Sequence, residues 1–132
     1  MFNEIKTEKD IQNFIDKTNS LHDGYIIGAQ YTNDVHTNVD ENGFFTNPDA
    51  TKLILRILVT SIWNTVVEIE FEGLWEWQIL NDTYFHEEIL DTSVSFNDKG
   101  YIVWADDVWN NREELEGCSF AIAKSMKWRI AK

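Results

Sequence analysis

The longest apolar stretch of the chain, residues 52–80, alternates with a period of two. Successive side chains of a strand point to opposite faces, so this period predicts strands of a sheet with one dry face. The dry face is formed by odd-numbered positions. They are Leu53, Leu55, Ile57, Val59, Val67, Ile69, Phe71, Trp75, Trp77 and Ile79.

The stretch divides into strands at 52–60 and 66–72 and a further strand that begins at Trp75. The first is apolar on both faces, because Ile54 and Leu58 oppose the odd set, and is therefore predicted to be central. A two-residue turn at Gly73 would flip the apolar face, whereas a three-residue turn over 72–74 keeps it together. A continuous kinked strand would span about 50 Å, so the pattern favours the turn.

One helix is predicted from Thr7 to Lys17. Thr7 is a suitable N-cap, and Asp10 stands at the position where a capping box needs an acceptor. Ile11, Phe14 and Ile15 make one apolar stripe at helical spacing. This short helix has to dock on an apolar surface, and the even-numbered face of strand 52–60 is its predicted cover.

Further strands are predicted at 21–31, 89–96, 101–105 and 119–130. Residues 97–100 form the turn of a hairpin that sets Phe96 opposite Tyr101. Lys124 interrupts the alternation of the last strand and indicates an edge position or a bulge. The sequence therefore predicts a single α+β domain over residues 1–132. Its antiparallel meander sheet of about seven strands is strongly curved, barrel-like or sandwich-like, with the N-terminal helix packed on it.

Composition agrees with one self-sufficient core. The chain has 132 residues, of which 43% are hydrophobic, and a single cysteine, Cys118, which excludes an internal disulfide. Cys118 is expected to be a buried small residue. The first ten residues are polar and lack the apolar region of a signal peptide, and no apolar run reaches the roughly 20 residues of a membrane span. A reduced, cytoplasmic location is the expectation.

The formal net charge is −12 at pH 7, which opposes binding to nucleic acid or to anionic membranes. It favours either simple solubility or a basic protein partner. Glu68, Glu70 and Glu72 share the even face of their strand and predict a wet acidic stripe, which Glu76 extends. Trp63 and Trp109 fall in predicted loops, so they are candidate exposed aromatic contacts, although packing is an alternative role.

The glutamates of this stripe have an alternative role, which is to pair with basic residues of the same chain. Four of the eleven basic residues lie in the last nine positions, namely Lys124, Lys127, Arg129 and Lys132. If the last strand neighbours the stripe, lysine and glutamate pair across the two strands; if it does not, the stripe is free to meet a basic partner.

A second candidate site groups His22 and Asp23 with Asp91, Asp106 and Asp107. Imidazole and carboxylate together suit acid–base chemistry or metal binding. Adjacent strand residues point to opposite faces, however, so His22 and Asp23 are not expected to converge. The predicted hairpin register sets Asp91 opposite Asp106, which implies a bound cation, a raised pKa or fraying of the ladder.

The segment from Asn38 to Asp49 follows the pattern of a calcium loop in outline. Asn38, Asp40, Asn42 and Asp49 would supply ligands, with Gly43 at the sharp turn. Asn leads where Asp is usual, Asp closes where Glu is usual, and a strand follows instead of a helix. The chain has no phosphate-binding glycine loop, nucleophile elbow or zinc pattern. No cofactor is predicted, and enzymatic activity is left undecided, with the balance against it.

Several pieces together resemble a group of small uncharacterised bacterial proteins. They are LHDGYI, LRIL followed by VVEIEFEG, the hairpin end YIVWADD, and AKSMKWR near the C-terminus. The shared features are an N-terminal His-Asp pair and an Ala-Lys-x-x-x-Trp-Arg segment. Gly24 departs from the pattern, which leads us to expect a serine there. The resemblance implies no activity and no catalytic residue.

The sequence thus favours a non-catalytic, acidic protein-binding module with a basic partner. Immunity-type inhibitors of basic bacterial toxins offer an analogy, since they are also small, acidic and poor in motifs. The alternatives are a small enzyme or ligand-binding protein that uses His22, Asp23, Asp106 and Asp107, and calcium or sugar binding through the long polar segment from Asn33 to Asp49.

Overall fold

A computed structural model describes residues 1–33, 51–63, 65–80 and 88–131. Within these ranges the chain folds into a seven-stranded antiparallel sheet ordered β2-β3-β4-β7-β6-β5, with β1 beside β7. The strands are β1 Asn3–Glu4, β2 Gly24–Asn33, β3 Thr51–Val59, β4 Thr65–Gln78, β5 Ser93–Phe96, β6 Ile102–Ala105 and β7 Phe120–Ala131. The α-helices are α1 Glu8–Thr18 and the short α2 Arg112–Glu116, and a 3₁₀ turn, Asn19–Leu21, follows α1.

This architecture confirms the predicted α+β class, with a curved meander sheet and an N-terminal helix. The described strands do not close into a barrel, since β2 and β5 lie at opposite ends of their order. In the described residues, neither helix is long and apolar enough to cross a membrane.

The odd-numbered apolar face of β3 and of the first half of β4 forms the main core. Its seven aliphatic and aromatic side chains from Leu53 to Phe71 are fully buried, which confirms this part of the predicted dry face. Helix α1 covers the same face, where the ring of Phe14 meets Trp128 edge-on at 5.4 Å. The prediction that α1 covers the even face is wrong, because the odd set is the larger apolar surface and the helix stripe completes it.

The predicted helix start is confirmed by a reciprocal pair of hydrogen bonds. The Asp10 amide donates to Thr7 Oγ1 at 3.2 Å, and the Thr7 amide donates to Asp10 Oδ2 at 3.0 Å. Two of the amides that a helix N-terminus leaves without partners are thereby satisfied. The helix position is fixed by this cap and by the burial of Ile11 and Phe14.

Strand β4 runs without a turn through Gly73, so the predicted three-residue turn is wrong. Gly73 has φ +68° and lets the strand bend instead. Leu74 pairs with Ala123 and Glu76 with Ile122, which leaves Trp75 as the extra residue of a bulge. Trp75 is 65% exposed, so its predicted place in the core is also wrong. Trp77 is half-buried and packs against the core.

Strand β7 is central, since it pairs with β4 on one side and with both β6 and β1 on the other. The break in alternation at Lys124 is confirmed. Of its two predicted explanations, the edge position is wrong, and the bulge of this strand pair lies on β4, opposite Ile122 and Ala123. Ala123 and Met126 are buried, whereas Lys124 and Ser125 between them are exposed. The outer face of β6 and β7 carries a second, smaller core. It consists of Val103, Ala105, Leu115, Cys118, Phe120 and Ile122.

The β5–β6 hairpin is shifted by one residue from its predicted register, because Phe96 pairs with Ile102 and not with Tyr101. Asn97 holds Tyr101 in the turn: its side-chain oxygen accepts from the Tyr101 amide at 2.9 Å. The ladder begins at Ser93 opposite Ala105, so the predicted facing of Asp91 and Asp106 is wrong.

A single bridge links β2 to the segment that leads into β5. The Asp23 amide donates to the Ile89 carbonyl at 2.8 Å, and the Ile89 amide donates to the Gly24 carbonyl at 2.7 Å. The Thr92 amide also donates to the Ser20 carbonyl at 3.0 Å. These bonds bring residues 88–92 against the turn that contains His22 and Asp23.

Gly24 has no room for a side chain at this junction. A Cβ there would lie 2.6 Å from the Leu21 carbonyl oxygen, whereas at Gly28 the nearest atoms would be 3.8 Å away. Gly24→Ala is expected to lower the free energy of unfolding by about 1–3 kcal/mol. Gly28→Ala, its matched control, should be neutral or stabilising by up to about 1 kcal/mol. Urea unfolding followed by tryptophan fluorescence measures both, and equal stability of the two variants would contradict this packing.

Candidate functional site

The three even-numbered glutamates of β4 form what we call the glutamate ladder: Glu68, Glu70 and Glu72. Their strand lies between β3 and β7, which place cationic side chains on both sides. The Glu68 carboxylate accepts from Arg56 Nη1 at 3.3 Å and from Arg129 Nη2 at 2.9 Å. Only 12% of the Glu68 side chain is exposed. The first rung of the ladder is therefore neutralised within the chain.

The other two rungs are paired in the same way. Glu70, with 10% of its side chain exposed, lies 2.9 Å from Lys52 Nζ and 3.8 Å from Lys127 Nζ. Glu72 lies 3.6 Å from Lys127 Nζ. The prediction that this face is wet is wrong for Glu68 and Glu70. The alternative, pairing with the neighbouring basic strand, is confirmed.

The N-terminal segment also contributes to the ladder. Strand β1 brings the Phe2 ring under two of its cations, with Arg129 Cζ at 4.5 Å and Lys127 Nζ at 5.0 Å from the ring centroid. A cation over an aromatic face is held by the ring quadrupole. Phe2 therefore helps to keep Lys127 and Arg129 over the glutamates.

The ladder uses a large share of the basic side chains. The whole chain has 23 acidic and 11 basic side chains. The ladder takes three of the acidic and four of the basic groups, namely Lys52, Arg56, Lys127 and Arg129. The remainder of the chain thus carries 20 acidic and only seven basic groups, so its excess of negative charge is larger than that of the whole chain.

Part of that excess surrounds the turn between α1 and β2. Four non-glycine residues there have left-handed backbones, with φ of 52° at Asn19, 57° at Ser20, 53° at Leu21 and 57° at Asp23. Asparagine and aspartate tolerate this conformation, whereas leucine rarely adopts it. The turn is held by the fully buried Leu21 side chain and by Thr60, whose Oγ1 donates to the Asp23 carbonyl at 2.8 Å.

The left-handed turn brings His22 and Asp23 together, against the expectation for strand neighbours. His22 Nε2 lies 3.7 Å from Asp23 Oδ1, and His22 Nδ1 lies 2.7 Å from the Leu90 carbonyl oxygen. A carbonyl can only accept, so Nδ1 carries the proton and the neutral ring presents a free lone pair at Nε2. The Leu90 carbonyl raises the pKa of His22, and Asp23, Asp91 and Glu88 raise it further by charge.

We define the acidic patch as Asp23, Glu88, Asp91 and Asp107. Tyr25 donates to Glu88 at 3.3 Å, and Ser93 Oγ donates to the Asp107 carbonyl at 2.8 Å. Within the described ranges, none of the four carboxylates forms an ion pair with lysine or arginine. Two apolar side chains are exposed beside them on the chain, Leu90 and Val108.

Asp106 is not part of the patch. Its Oδ1 accepts from the Ser119 amide at 3.1 Å, and the Asp106 amide donates to the Ser119 carbonyl at 2.9 Å, so it closes the loop that contains α2. Burial raises the pKa of Asp106 to about 6 and that of Cys118 to about 11. A thiol with this pKa is a poor nucleophile. The confirmed burial of Cys118 fits a packing role.

The structure thus divides the predicted His22 site. His22, Asp23 and Asp91 lie together, whereas Asp106 is hydrogen-bonded to Ser119. Glu88 also belongs to this group. The sequence did not predict it, because Glu88 reaches His22 only through the long-range bridge at Ile89. In the described part of the chain, no three His, Cys, Asp or Glu side chains are placed to hold a metal ion.

The remaining candidates lie elsewhere. Glu76 pairs with Arg112 of α2, Trp63 is 88% exposed between β3 and β4, and Trp109 is half-buried against the second core. The calcium-loop residues Asn38, Asp40, Asn42 and Asp49 lie outside the described residues.

Comparison of the chain with protein-family models, with curated proteins and with solved structures finds no match. The resemblance to small bacterial proteins stays a prediction.

The His22 geometry predicts a proton affinity that the neighbouring carboxylates control. The folded-state pKa of His22 should exceed 6.5, so its contribution to stability is present below pH 6.5 and is lost as pH rises through the folded pKa. Asp23→Asn should lower that pKa, while Asp98→Asn at the remote hairpin turn should leave it unchanged. A pH titration followed by proton NMR of the His22 ring measures this pKa in the wild type and in both variants. A wild-type pKa at or below 6.5, or an unchanged pKa in Asp23→Asn, would contradict the geometry.

Proposed function

We propose that this protein is a non-catalytic, acidic protein-binding module that engages a basic partner through the acidic patch. One contrast supports the proposal most strongly. The ladder carboxylates are each paired with lysine or arginine, whereas the patch carboxylates have no such partner in the described residues. The patch therefore offers carboxylates that a cationic surface can pair with.

Electrostatics favours this use of the patch. Like charges held close together destabilise a folded protein through repulsion, but they attract and orient a partner of opposite charge. The backbone bonds at Ile89 and Thr92 fix residues 88–92 against the His22 turn, so the backbones that carry Glu88 and Asp91 are held beside Asp23 before binding. Such pre-organisation reduces the ordering cost of association.

Leu90 and Val108 add apolar surface of the kind that interfaces bury. They are 56% and 61% exposed, respectively. Charged groups set the specificity and speed of association, while apolar contact supplies much of the affinity. The patch thus combines both components. The stripe of Glu68, Glu70, Glu72 and Glu76 is a weaker candidate, because a partner would have to displace cations already bound to it.

The analogy with immunity-type inhibitors supports the same class of function. The chain shares their small size and acidity, and the absence of any comparison match leaves the analogy as a proposal. A toxin is one basic partner of this kind, and any other basic protein with a complementary surface would fit the same argument.

A second candidate function is favoured by the free Nε2 lone pair of neutral His22. The Leu90 carbonyl holds the Nδ1 proton at 2.7 Å, and about half of the His22 side chain is exposed, so Nε2 is available to accept a proton as a general base does. This reading requires a substrate within hydrogen-bond reach of Nε2. We rank it below partner binding, because the three carboxylates that act on His22, those of Asp23, Glu88 and Asp91, suit a cationic surface without further groups.

Affinity isolation from the encoding organism tests the proposal, with three forms of the protein as bait. One is the wild type; the second carries Asp23→Asn, Asp91→Asn and Asp107→Asn. The third is a control with the same charge change elsewhere: Glu8→Gln, Asp16→Asn and Asp98→Asn. We expect the wild type and the control to retain the same basic protein at moderate salt, and the patch variant to lose it.

The control separates specific recognition from general charge attraction. If both triple variants lose the protein equally, net charge alone is responsible and the patch is not the binding surface. Retention by the patch variant would contradict the proposal, as would recovery of no basic protein by the wild type at low or moderate salt.

A further inference from the structure

The turn between β3 and β4 is bonded directly to the turn that carries Asp23 of the acidic patch. The Thr60 amide donates to the Asp23 carbonyl at 3.2 Å, and the Thr60 hydroxyl donates to the same carbonyl at 2.8 Å. Asn19 Nδ2 donates to Ser61 Oγ at 3.2 Å. Residues 60–61 therefore contact the left-handed turn at both of its ends.

The same turn presents Trp63 to solvent, with 88% of the residue exposed. Its backbone has several fixed contacts. Ile62 packs against the main core, and its carbonyl accepts from the Thr65 amide at 3.1 Å. Thr65 Oγ1 donates to the Trp63 carbonyl at 3.2 Å. The exposed indole therefore projects from an anchored segment of the fold.

Trp63 lies close enough to Asp23 for one partner to contact both. Three residues of chain span at most about 11 Å, and Thr60 is hydrogen-bonded to Asp23. A standard protein interface covers about 800 Å² of each partner, which is roughly 30 Å across. A protein that pairs with the Asp23 carboxylate can therefore reach the indole within the same interface.

The ring of Trp63 differs from the aromatic rings that hold cations within the chain. The other strongly exposed tryptophan, Trp75, has Lys99 Nζ at 5.4 Å from its ring centroid. Phe2 lies under two cations of the ladder. Within residues 1–33, 51–63, 65–80 and 88–131, no lysine or arginine lies over Trp63. Its ring thus resembles the patch carboxylates, which also lack a cation from the described chain.

We propose that the Trp63 indole belongs to the surface that binds the basic partner and that it receives an arginine guanidinium group on its face. A guanidinium is planar and more weakly hydrated than an ammonium, so it stacks on aromatic rings and pairs with carboxylates through two parallel hydrogen bonds. Tryptophan is the best aromatic acceptor of a cation. The inference rests on the proposed function and adds that the partner presents arginine.

Titration with capped hexa-arginine and hexalysine peptides at low salt tests the proposal on the full chain. Six extended residues span up to about 20 Å, which is sufficient to contact Asp23 and Trp63 together. Isothermal titration calorimetry measures the two Kd values, and NMR of ¹⁵N-labelled protein follows the indole N–H signals. We expect the wild type to bind hexa-arginine more tightly than hexalysine, with a shift of the Trp63 indole signal.

Replacement of the indole should remove much of this preference for arginine. Trp63→Ala should weaken hexa-arginine binding about two- to fivefold, which is the effect of one exposed cation–π contact, and should weaken hexalysine binding less. Trp63→Phe should retain part of the preference. Trp75→Ala is the matched control, because it removes an exposed tryptophan whose ring already faces Lys99, and it should bind as the wild type does. Circular dichroism checks the fold of Trp63→Ala; if it is lost, the indole shift and the Trp63→Phe affinities decide.

Two further baits separate failure of this inference from failure of the proposed function. They are the triple variants defined above, one in the patch and one remote from it. If the patch variant loses hexa-arginine binding and Trp63→Ala does not, the patch stands and the role of Trp63 is overturned. An equal loss of both peptides by Trp63→Ala would overturn the assignment of arginine.

If the patch variant binds hexa-arginine as tightly as the remote control does, the proposed function fails together with the inference. The absence of hexa-arginine binding by the wild type would contradict both.

Discussion

Two nearly enclosed carboxylates in the middle of a sheet have to be neutralised, and this constraint organises the molecule. Glu68 and Glu70 lie on β4 with only 12% and 10% of their side chains exposed. A buried charge without a partner is far more costly than one that is paired and hydrogen-bonded. The cations come from β3 on one side and from β7 on the other. The registers of β4 with β3 and with β7 therefore both depend on Glu68 and Glu70.

The same constraint shapes the surface. Four of the eleven basic side chains are used at the ladder, and the carboxylates around His22 are left without lysine or arginine partners in the described residues. Net charge alone would place a basic partner anywhere on this protein. Three unpaired carboxylates instead converge on His22, where the bridge at Gly24 and Ile89 brings their segments together. Fold and proposed recognition therefore depend on the same distribution of charge.

Local patterns in the sequence predicted the elements that local forces determine. The alternation from Leu53 to Phe71 gave the main core, and Thr7 with Asp10 gave the start of α1. Gly73 could not be resolved in this way, because a glycine with positive φ serves a turn and a bend equally well. The burial of Glu68 depends on Arg129, which is 61 positions further along the chain. The position of Glu88 likewise depends on a bridge between distant segments, and no periodicity reports such contacts.

Urea unfolding of Glu68→Gln and Asp91→Asn at neutral pH and low salt tests the central claim most directly. Each substitution removes one negative charge from an acidic protein, so general charge repulsion is relieved equally. If the nearly enclosed Glu68 carboxylate is held by Arg56 and Arg129, Glu68→Gln loses these charge-assisted hydrogen bonds and lowers the free energy of unfolding by about 1–3 kcal/mol. Asp91→Asn should leave it unchanged or raise it by up to about 0.5 kcal/mol. A stable Glu68→Gln variant, or an equally large loss with Asp91→Asn, would contradict the account.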